Sequence, residues 1–188
     1  MAKLFVFRTG QTIWEIEDRL DSAAGAPLTG QGVKAVQDCA GQLAGQEISG
    51  IYAGTGEAER QSAELIAGQL GCKVRTVNDL RELDYGLWQG LTAEEIKRRQ
   101  PKLYRQWLES PASVRPPGGE TLSESLGRLR RALGEILRRD GAPSLIVLRP
   151  VMLGLLRCVV RNQPIEDMRQ NVDPEFTWAC YEMNGNQL

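Results

Sequence analysis

The sequence predicts an α/β protein with a mainly parallel central sheet. Short, continuous apolar runs such as residues 4–7 and 145–148 are typical of parallel strands that are buried on both faces. These runs alternate with segments whose apolar residues repeat at helical spacing, which favours right-handed strand–helix–strand crossovers. With 188 residues and 41% hydrophobic side chains the chain can build one core. We therefore expect a single domain over residues 1–188.

The first half of the chain contains three predicted strands and two predicted helices. The apolar run at residues 4–7 predicts the first strand, and a loop rich in Gly, Ala, Pro and Asp follows it. Apolar residues at helical spacing predict helices over residues 31–44 and 58–70. Residues 48–53 are strand-like, and the alternation in residues 73–77 is typical of a short strand.

The second half contains the clearest amphipathic pattern. A threonine followed by acidic residues is the N-cap signature of a helix over residues 92–100, and the next proline marks a break before another short helix. A strand is predicted at residues 145–148, a largely buried helix at 151–160 and a last strand at 176–183. The longest helix is predicted by an apolar stripe comprising Leu122, Leu126, Leu129, Leu133, Ile136 and Leu137.

Composition narrows the class of function. The net charge is −1 with 25% charged residues, so neither a nucleic-acid partner nor a membrane partner is expected. No segment reads as a leader or a membrane span, and we expect a soluble, cytoplasmic protein. The four cysteines are far apart, which favours buried free thiols. The chain has no histidine, and we expect no metal and no other cofactor.

Three residues directly follow predicted strands that run parallel: Arg8, Gly54 and Arg149. In open α/β sheets, ligands bind beyond the carboxyl ends of the strands. We therefore expect these three strand ends to converge on one crevice.

Five segments of the chain stand in a characteristic order. They are Arg8-Thr9-Gly10-Gln11-Thr12; Pro27-Leu28-Thr29-Gly30-Gln31-Gly32; Ile51-Tyr52 followed by Gln61-Ser62-Ala63-Glu64; Leu80-Arg81-Glu82 with Gly86-Leu87-Trp88-Gln89-Gly90; and Pro117-Gly118-Gly119-Glu120-Thr121. Their order and spacing, over about residues 3–160, resemble the histidine phosphatase superfamily, which includes phosphoglycerate mutase-like phosphatases. The resemblance implies a three-layer α/β/α fold of the phosphoglycerate mutase type.

The resemblance also implies what each position supplies in the family. A histidine after the first arginine attacks phosphorus, a carboxylic acid protonates the leaving oxygen, and two arginines with a second histidine hold the phosphoryl oxygens. In this chain Arg8 and Glu82 keep the family residue types. Thr9 stands at the nucleophile position, Arg149 at the second histidine and Ala58 at the second arginine. The family also has an asparagine a few residues after the first motif, and Glu15 stands in its place, so the resemblance implies that the catalytic set is not intact.

Thr9 is a poor replacement for the nucleophile. Its hydroxyl proton needs a base within hydrogen-bond reach, no histidine exists, and the resemblance places Glu82 on the leaving-group side. A phosphothreonine, once formed, would be a stable monoester. Because the parts of a catalytic unit are strongly non-additive, retention of Arg8 and Glu82 does not preserve a matching share of the rate.

The same positions can still bind an anion. Arg8 offers a planar guanidinium fork, Arg149 adds a permanent positive charge that offsets the arginine lost at Ala58, and Thr9 adds a hydroxyl. Arg60 is no substitute, because two positions along a helix rotate its side chain away by about 200°. The alternative is a closed cluster in which Glu82 neutralises one guanidinium and no ligand enters.

Three functions remain open on the sequence. The first is a pseudoenzyme that binds an anion, a phosphorylated small molecule or a protein partner in a regulatory role. The second is a phosphomonoesterase or phosphoglycerate mutase-type enzyme with a non-standard mechanism. The third is a structural subunit that uses the fold as an interaction surface.

Overall fold

The structure, a computed structural model, describes residues 2–21, 25–140, 143–172 and 178–183. Within these residues a five-stranded sheet forms the centre of the molecule. Its strands are β1 (Ala2–Arg8), β2 (Gly50–Ala53), β3 (Val74–Thr76), β4 (Ser144–Leu148) and β5 (Trp178–Met183). The spatial order is β3-β2-β4-β1-β5, with β5 antiparallel to β1 and the other pairings parallel. The prediction of a mainly parallel α/β sheet is confirmed.

Helices cover both faces of the sheet and complete the three predicted layers. In the described ranges they are α1 (Ile13–Ile16), α2 (Gly30–Ala40), α3 (Glu57–Leu70), α4 (Ala93–Arg99), α5 (Pro101–Glu109), α6 (Leu122–Asp140) and α7 (Pro150–Arg161). Apolar residues of α2 and α3 pack with Phe5 and Phe7 on one face, and those of α6 and α7 pack with Leu4 and Val6 on the other. The continuous apolar run of β1 therefore serves two separate cores.

The register of the parallel strands brings the predicted strand ends together. Arg8 pairs with Leu148, so Thr9 and Arg149 are the next residues on neighbouring strands. Ala53 pairs with Val147, which places the end of β2 beside them. The expected convergence of three strand ends is thus present in the sheet.

Several predicted boundaries differ from the structure. Helix α2 ends at Ala40 and continues as the 3-10 turn Gly41–Leu43. The four-residue helix α1 was not predicted, because one turn is too short to show a period. In the last predicted strand, residues 176–177 lie outside the described residues.

Two further expectations concern the burial of the cysteines and the absence of a membrane span. Cys158 is buried as expected, but Cys180 is exposed on the edge strand β5, and Cys39 and Cys72 are partly exposed; all four thiols are free. Over the ranges given above, the structure has no helix that is both long and apolar enough to cross a membrane.

The loop after β1 is held tightly against α2 and α3. The Gly10 N–H donates to Ser62 Oγ at 3.1 Å, and the Thr29 N–H donates to the Gln11 carbonyl at 2.9 Å. Thr29 caps α2 by accepting a hydrogen bond from the Gly32 N–H. A Cβ added at Gly32 would lie only 2.3 Å from the Gln11 carbonyl oxygen. Gly32 is therefore required by the close approach of two backbones.

We expect Gly32→Ala to lower the free energy of unfolding by roughly 1–3 kcal/mol, since the added methyl meets backbone that cannot move aside cheaply. Gly30 is the matched control, because it lies in the same helical turn and a Cβ there meets nothing within 4 Å. Gly30→Ala should be neutral or stabilise by up to about 1 kcal/mol. Urea unfolding measures both variants, and equal effects would contradict the close contact.

Candidate functional site

Thr9 lies at the end of β1, at the floor of the crevice. Its N–H donates to the Leu148 carbonyl at 3.0 Å, which extends the pairing of β1 with β4 by one residue. The side chain is buried, with 4% of the residue exposed. Its Oγ1 has no hydrogen-bond partner among the residues that the structure describes. Among the described residues, no base therefore makes hydrogen-bond contact with this hydroxyl.

Arg149 occupies the corresponding end of β4 and is the N-cap residue of α7. Pro150 occupies the first helical position, where the missing N–H costs nothing, so the strand-to-helix turn is preserved. The Arg149 guanidinium is buried, and its Nη2 lies 2.8 Å from Asp21 Oδ2. Its Nε and Nη1 have no partner within the described part of the chain. One side of the guanidinium fork is thus paired and the rest is open.

Asp21 supplies the counter-ion of this buried arginine. Its Oδ2 also accepts hydrogen bonds from Thr12 Oγ1 at 3.2 Å and from the Ala26 N–H at 3.4 Å. The contacts tie the loop after α1 to the end of β4. The second oxygen, Oδ1, is buried and has no partner in the ranges covered by the structure.

Arg8 also has a carboxylate beside it. Its Nη2 lies 3.5 Å from Glu15 Oε1, and about a fifth of each side chain is exposed. Glu15 is held in place by a capping box with Thr12 at the start of α1. The residue at the family's asparagine position therefore contributes a negative charge next to Arg8.

Glu82 is fixed by two backbone donors. The Leu83 N–H donates to Oε1 at 2.7 Å, and the Val151 N–H in the first turn of α7 donates to Oε2 at 2.9 Å. Burial raises the pKa of Glu82, against the opposing effects of Arg149 and of these two N–H groups. The ion pair of Arg149 is made by Asp21 and not by Glu82, so Glu82 is not the residue that pairs with this guanidinium.

Glu59 is a further carboxyl group in the crevice. It is the third residue of α3 and is fully buried. Its Oε1 lies 3.0 Å from the position that a Cβ on Gly54 would take, which places the carboxylate over the end of β2. Neither oxygen has a hydrogen-bond partner of normal geometry in the described ranges. Burial raises the pKa of Glu59 to about 7, although Arg149 and the residue's own backbone N–H act to lower it.

The two residues that flank Glu59 on α3 supply no positive charge to the crevice. Ala58, at the family's second arginine, is fully buried and carries no charge. Arg60 points outward and pairs with Glu57 at 3.0 Å, as its rotation along the helix predicts. Nothing on this turn of α3 restores the missing guanidinium.

Sequence reasoning missed Asp21 and Glu59. Asp21 lies in an irregular loop, and no local pattern indicates which way its side chain points. Glu59 did have a signal, since the buried side of α3 repeats at helical spacing through Glu59, Ser62, Ala63 and Ile66. Leu65 and Leu70 on the same helix are only partly buried.

Together the groups form a charge-compensated crevice. Burial by itself would lower the pKa of Arg149, but the combined effect of Glu59, Asp21 and Glu82 raises it, and Arg149 remains a permanent cation. Asp21 and Glu15 balance Arg149 and Arg8. Glu59 and Glu82 are additional carboxyl groups whose pKa values are raised. The crevice is therefore less positive than its two arginines alone suggest.

We expect stability to fall as pH rises from about 4.5 to about 7, because unfolded Glu59 ionises first and folded Glu59 ionises near 7. Above pH 7 the ionisation of Glu59 lowers the free energy of unfolding by roughly 3 kcal/mol. Glu59→Gln should therefore raise the free energy of unfolding at pH 8 and leave it nearly unchanged at pH 4. Glu64→Gln, an exposed position on the same helix, serves as the control. A Glu59→Gln effect that is the same at both pH values would contradict the assignment.

Comparisons with known proteins agree with the fold. The model of the histidine phosphatase superfamily (branch 1) matches residues 4–187. Bifunctional protein Rv2228c of Mycobacterium tuberculosis is 33% identical over 147 residues, which is 77% of this chain and 40% of that protein. Probable phosphoglycerate mutase GpmB of Serratia proteamaculans is 28% identical over 165 residues, which is 87% of this chain and 77% of that protein. The chain thus spans only about two fifths of the length of the mycobacterial relative.

Among solved structures, YhfR of Bacillus stearothermophilus superimposes with a TM-score of 0.90 at 25% identity. The match covers 98% of this chain and 93% of YhfR. The layered sheet, the convergence of Thr9 and Arg149 at its edge and a family model that spans nearly all residues lead to one assignment. The chain belongs to the histidine phosphatase superfamily.

Proposed function

We propose that this chain is a catalytically inactive member of its family that binds a small oxyanion, in a binding or regulatory role. The binding groups are Arg8, Thr9 and Arg149, and the anion is a phosphate, sulfate or carboxylate group. The proposal rests on the buried polar atoms of Thr9 and Arg149, the two residues that directly follow the neighbouring strands β1 and β4. Thr9 Oγ1 has no base, and Arg149 Nε and Nη1 have no acceptor among the described residues. We further propose a cytoplasmic location, in keeping with four free thiols.

Inactivity is supported by the chemistry of the substituted positions. A threonine nucleophile needs a base in hydrogen-bond contact, and the two backbone-bound oxygens of Glu82 are engaged elsewhere. Ala58 supplies no positive charge to the transferring group. Phosphoryl transfer depends mostly on positioning and charge stabilisation, so losses at three positions act together.

Binding is supported by the geometry of Arg149. A guanidinium presents five N–H donors in a rigid fork, and the ion pair with Asp21 uses one nitrogen. Arg149, which carries the remaining buried nitrogens, directly follows β4, and Thr9 directly follows the neighbouring strand β1. Buried polar atoms in proteins nearly always have partners, so an acceptor group from a ligand fits this position. A phosphorylated small molecule and a phosphorylated protein partner both carry such a group.

We expect inorganic phosphate at about ten times its Kd to raise the melting temperature by about 3–6 °C relative to chloride at equal ionic strength. Arg149→Lys should abolish this shift, because lysine keeps a charge beside Asp21 and removes the two open donors. Arg60→Lys, on the exposed side of α3, is the control and should retain the full shift. An unchanged shift in Arg149→Lys would mean that phosphate stabilises the protein as a salt and not by binding at Arg149. That result would contradict the proposed anion site.

We expect no turnover of p-nitrophenyl phosphate above the buffer rate. Thr9→His alone should remain within about tenfold of that rate, because Ala58 and Arg149 still stand where the resemblance expects an arginine and a histidine. The combined variant Thr9→His, Ala58→Arg, Glu59→Ala and Arg149→His tests whether the scaffold is competent. Wild-type turnover that is lost in Glu82→Gln would favour the alternative of an enzyme with a non-standard mechanism.

A further inference from the structure

Buried atoms without partners in the crevice fall into two chemical kinds. Arg149 Nε and Nη1 are donors, and Thr9 Oγ1 is able to donate as well. Asp21 Oδ1 and both oxygens of Glu59 are acceptors, and these too have no partner in the described ranges. A simple oxyanion satisfies the first kind only. The second kind requires a donor that no described part of the chain provides.

The charges around the crevice also favour a ligand that carries a protonated donor. Asp21 already offsets Arg149, and Glu15 already offsets Arg8. A dianion placed among these groups adds negative charge next to Glu59, which is fully buried. In a poorly solvated site this repulsion is strong. A ligand with no net charge, or with one protonated group, avoids it.

Resting on the proposed anion site, we infer that the ligand of this crevice is a small zwitterion. Its oxyanion end accepts hydrogen bonds from Arg149 and Thr9, and its protonated amine donates to Glu59 and to Asp21 Oδ1. Such a molecule satisfies donors and acceptors together. With a carboxylate end it adds no net charge to the crevice, and with a phosphate end its amine offsets one of the two negative charges. The oxyanion end is a phosphate monoester or a carboxylate, since both present the same acceptor geometry to a guanidinium.

The position of Glu59 explains why the amine end is distinguished from the oxyanion end. Glu59 lies over the end of β2, whereas Thr9 and Arg149 follow β1 and β4. The Glu59 acceptors thus follow a different strand from the Thr9 and Arg149 donors, while Asp21 lies beside Arg149. The other charged groups that act on Glu59 are Arg149, Glu82 and Asp21. Glu82 has both oxygens bound to backbone N–H groups, so Glu59 and Asp21 remain for the amine.

Titration calorimetry with matched ligand pairs tests this inference. O-phosphoethanolamine and ethyl phosphate share the phosphate end, and β-alanine and propionate share the carboxylate end; only the first of each pair carries an amine. At pH 8 we expect the amine to lower Kd by about tenfold in at least one pair, the size expected for a charge-assisted hydrogen bond. The pair that shows the difference identifies the oxyanion.

Glu59→Gln is the decisive variant, and it should reduce the difference within a pair to less than about twofold. Its far-UV circular dichroism and melting curve establish that it is folded. Glu64→Gln on the exposed side of α3 should keep the full difference. For β-alanine, whose own groups do not titrate between pH 6 and pH 8, the advantage over propionate should also shrink at pH 6, where Glu59 is protonated.

Two further outcomes are distinguishable. Equal Kd values within both pairs, with binding that Arg149→Lys removes, would overturn the zwitterion and leave the oxyanion site intact. Absence of binding for all four ligands and for inorganic phosphate would mean that water alone fills the crevice, and the proposed function itself would fail.

Discussion

The buried ion pair between Arg149 and Asp21 is the interaction on which the rest of the crevice depends. A guanidinium that is almost fully buried and cannot lose its proton must have a negative partner. Asp21 provides that partner at 2.8 Å, and in doing so it holds the loop after α1 against the end of β4. The Thr12 hydroxyl at the start of α1 donates a hydrogen bond to the same Asp21 carboxylate. One permanent charge thus organises three separate segments of the chain.

The substitutions in this site are physically coupled. The family's second histidine can be neutral or charged, whereas Arg149 is always charged and needs carboxylates around it. Carboxylates that satisfy an arginine oppose the binding of a phosphate dianion. Glu59 adds to this effect and follows directly on Ala58, where the family has an arginine. The resemblance thus implies differences from the family both at Thr9 and in the charges around it, where carboxylates offset the two arginines.

The helices that frame the crevice also depend on its side chains. Glu82 accepts a hydrogen bond from the Val151 N–H, which would otherwise be an unpaired donor in the first turn of α7. A carboxylate at a helix N-terminus is further stabilised by the helix dipole. A residue that the family uses in chemistry therefore has a structural use in this chain. Its retention is not in itself a sign of catalysis.

The sequence by itself determined the order of strands and helices, their parallel arrangement and the meeting of Arg8 and Arg149 at one edge. These features follow from local periodicity and from the rule that parallel strands end on the same side. Only the tertiary structure decided which carboxylates face the arginines. Asp21 lies in a loop without a repeating pattern, and the direction of Glu59 depends on how α3 packs over Gly54. Charge pairing between segments distant in sequence is set by packing, and no local pattern of residues encodes it.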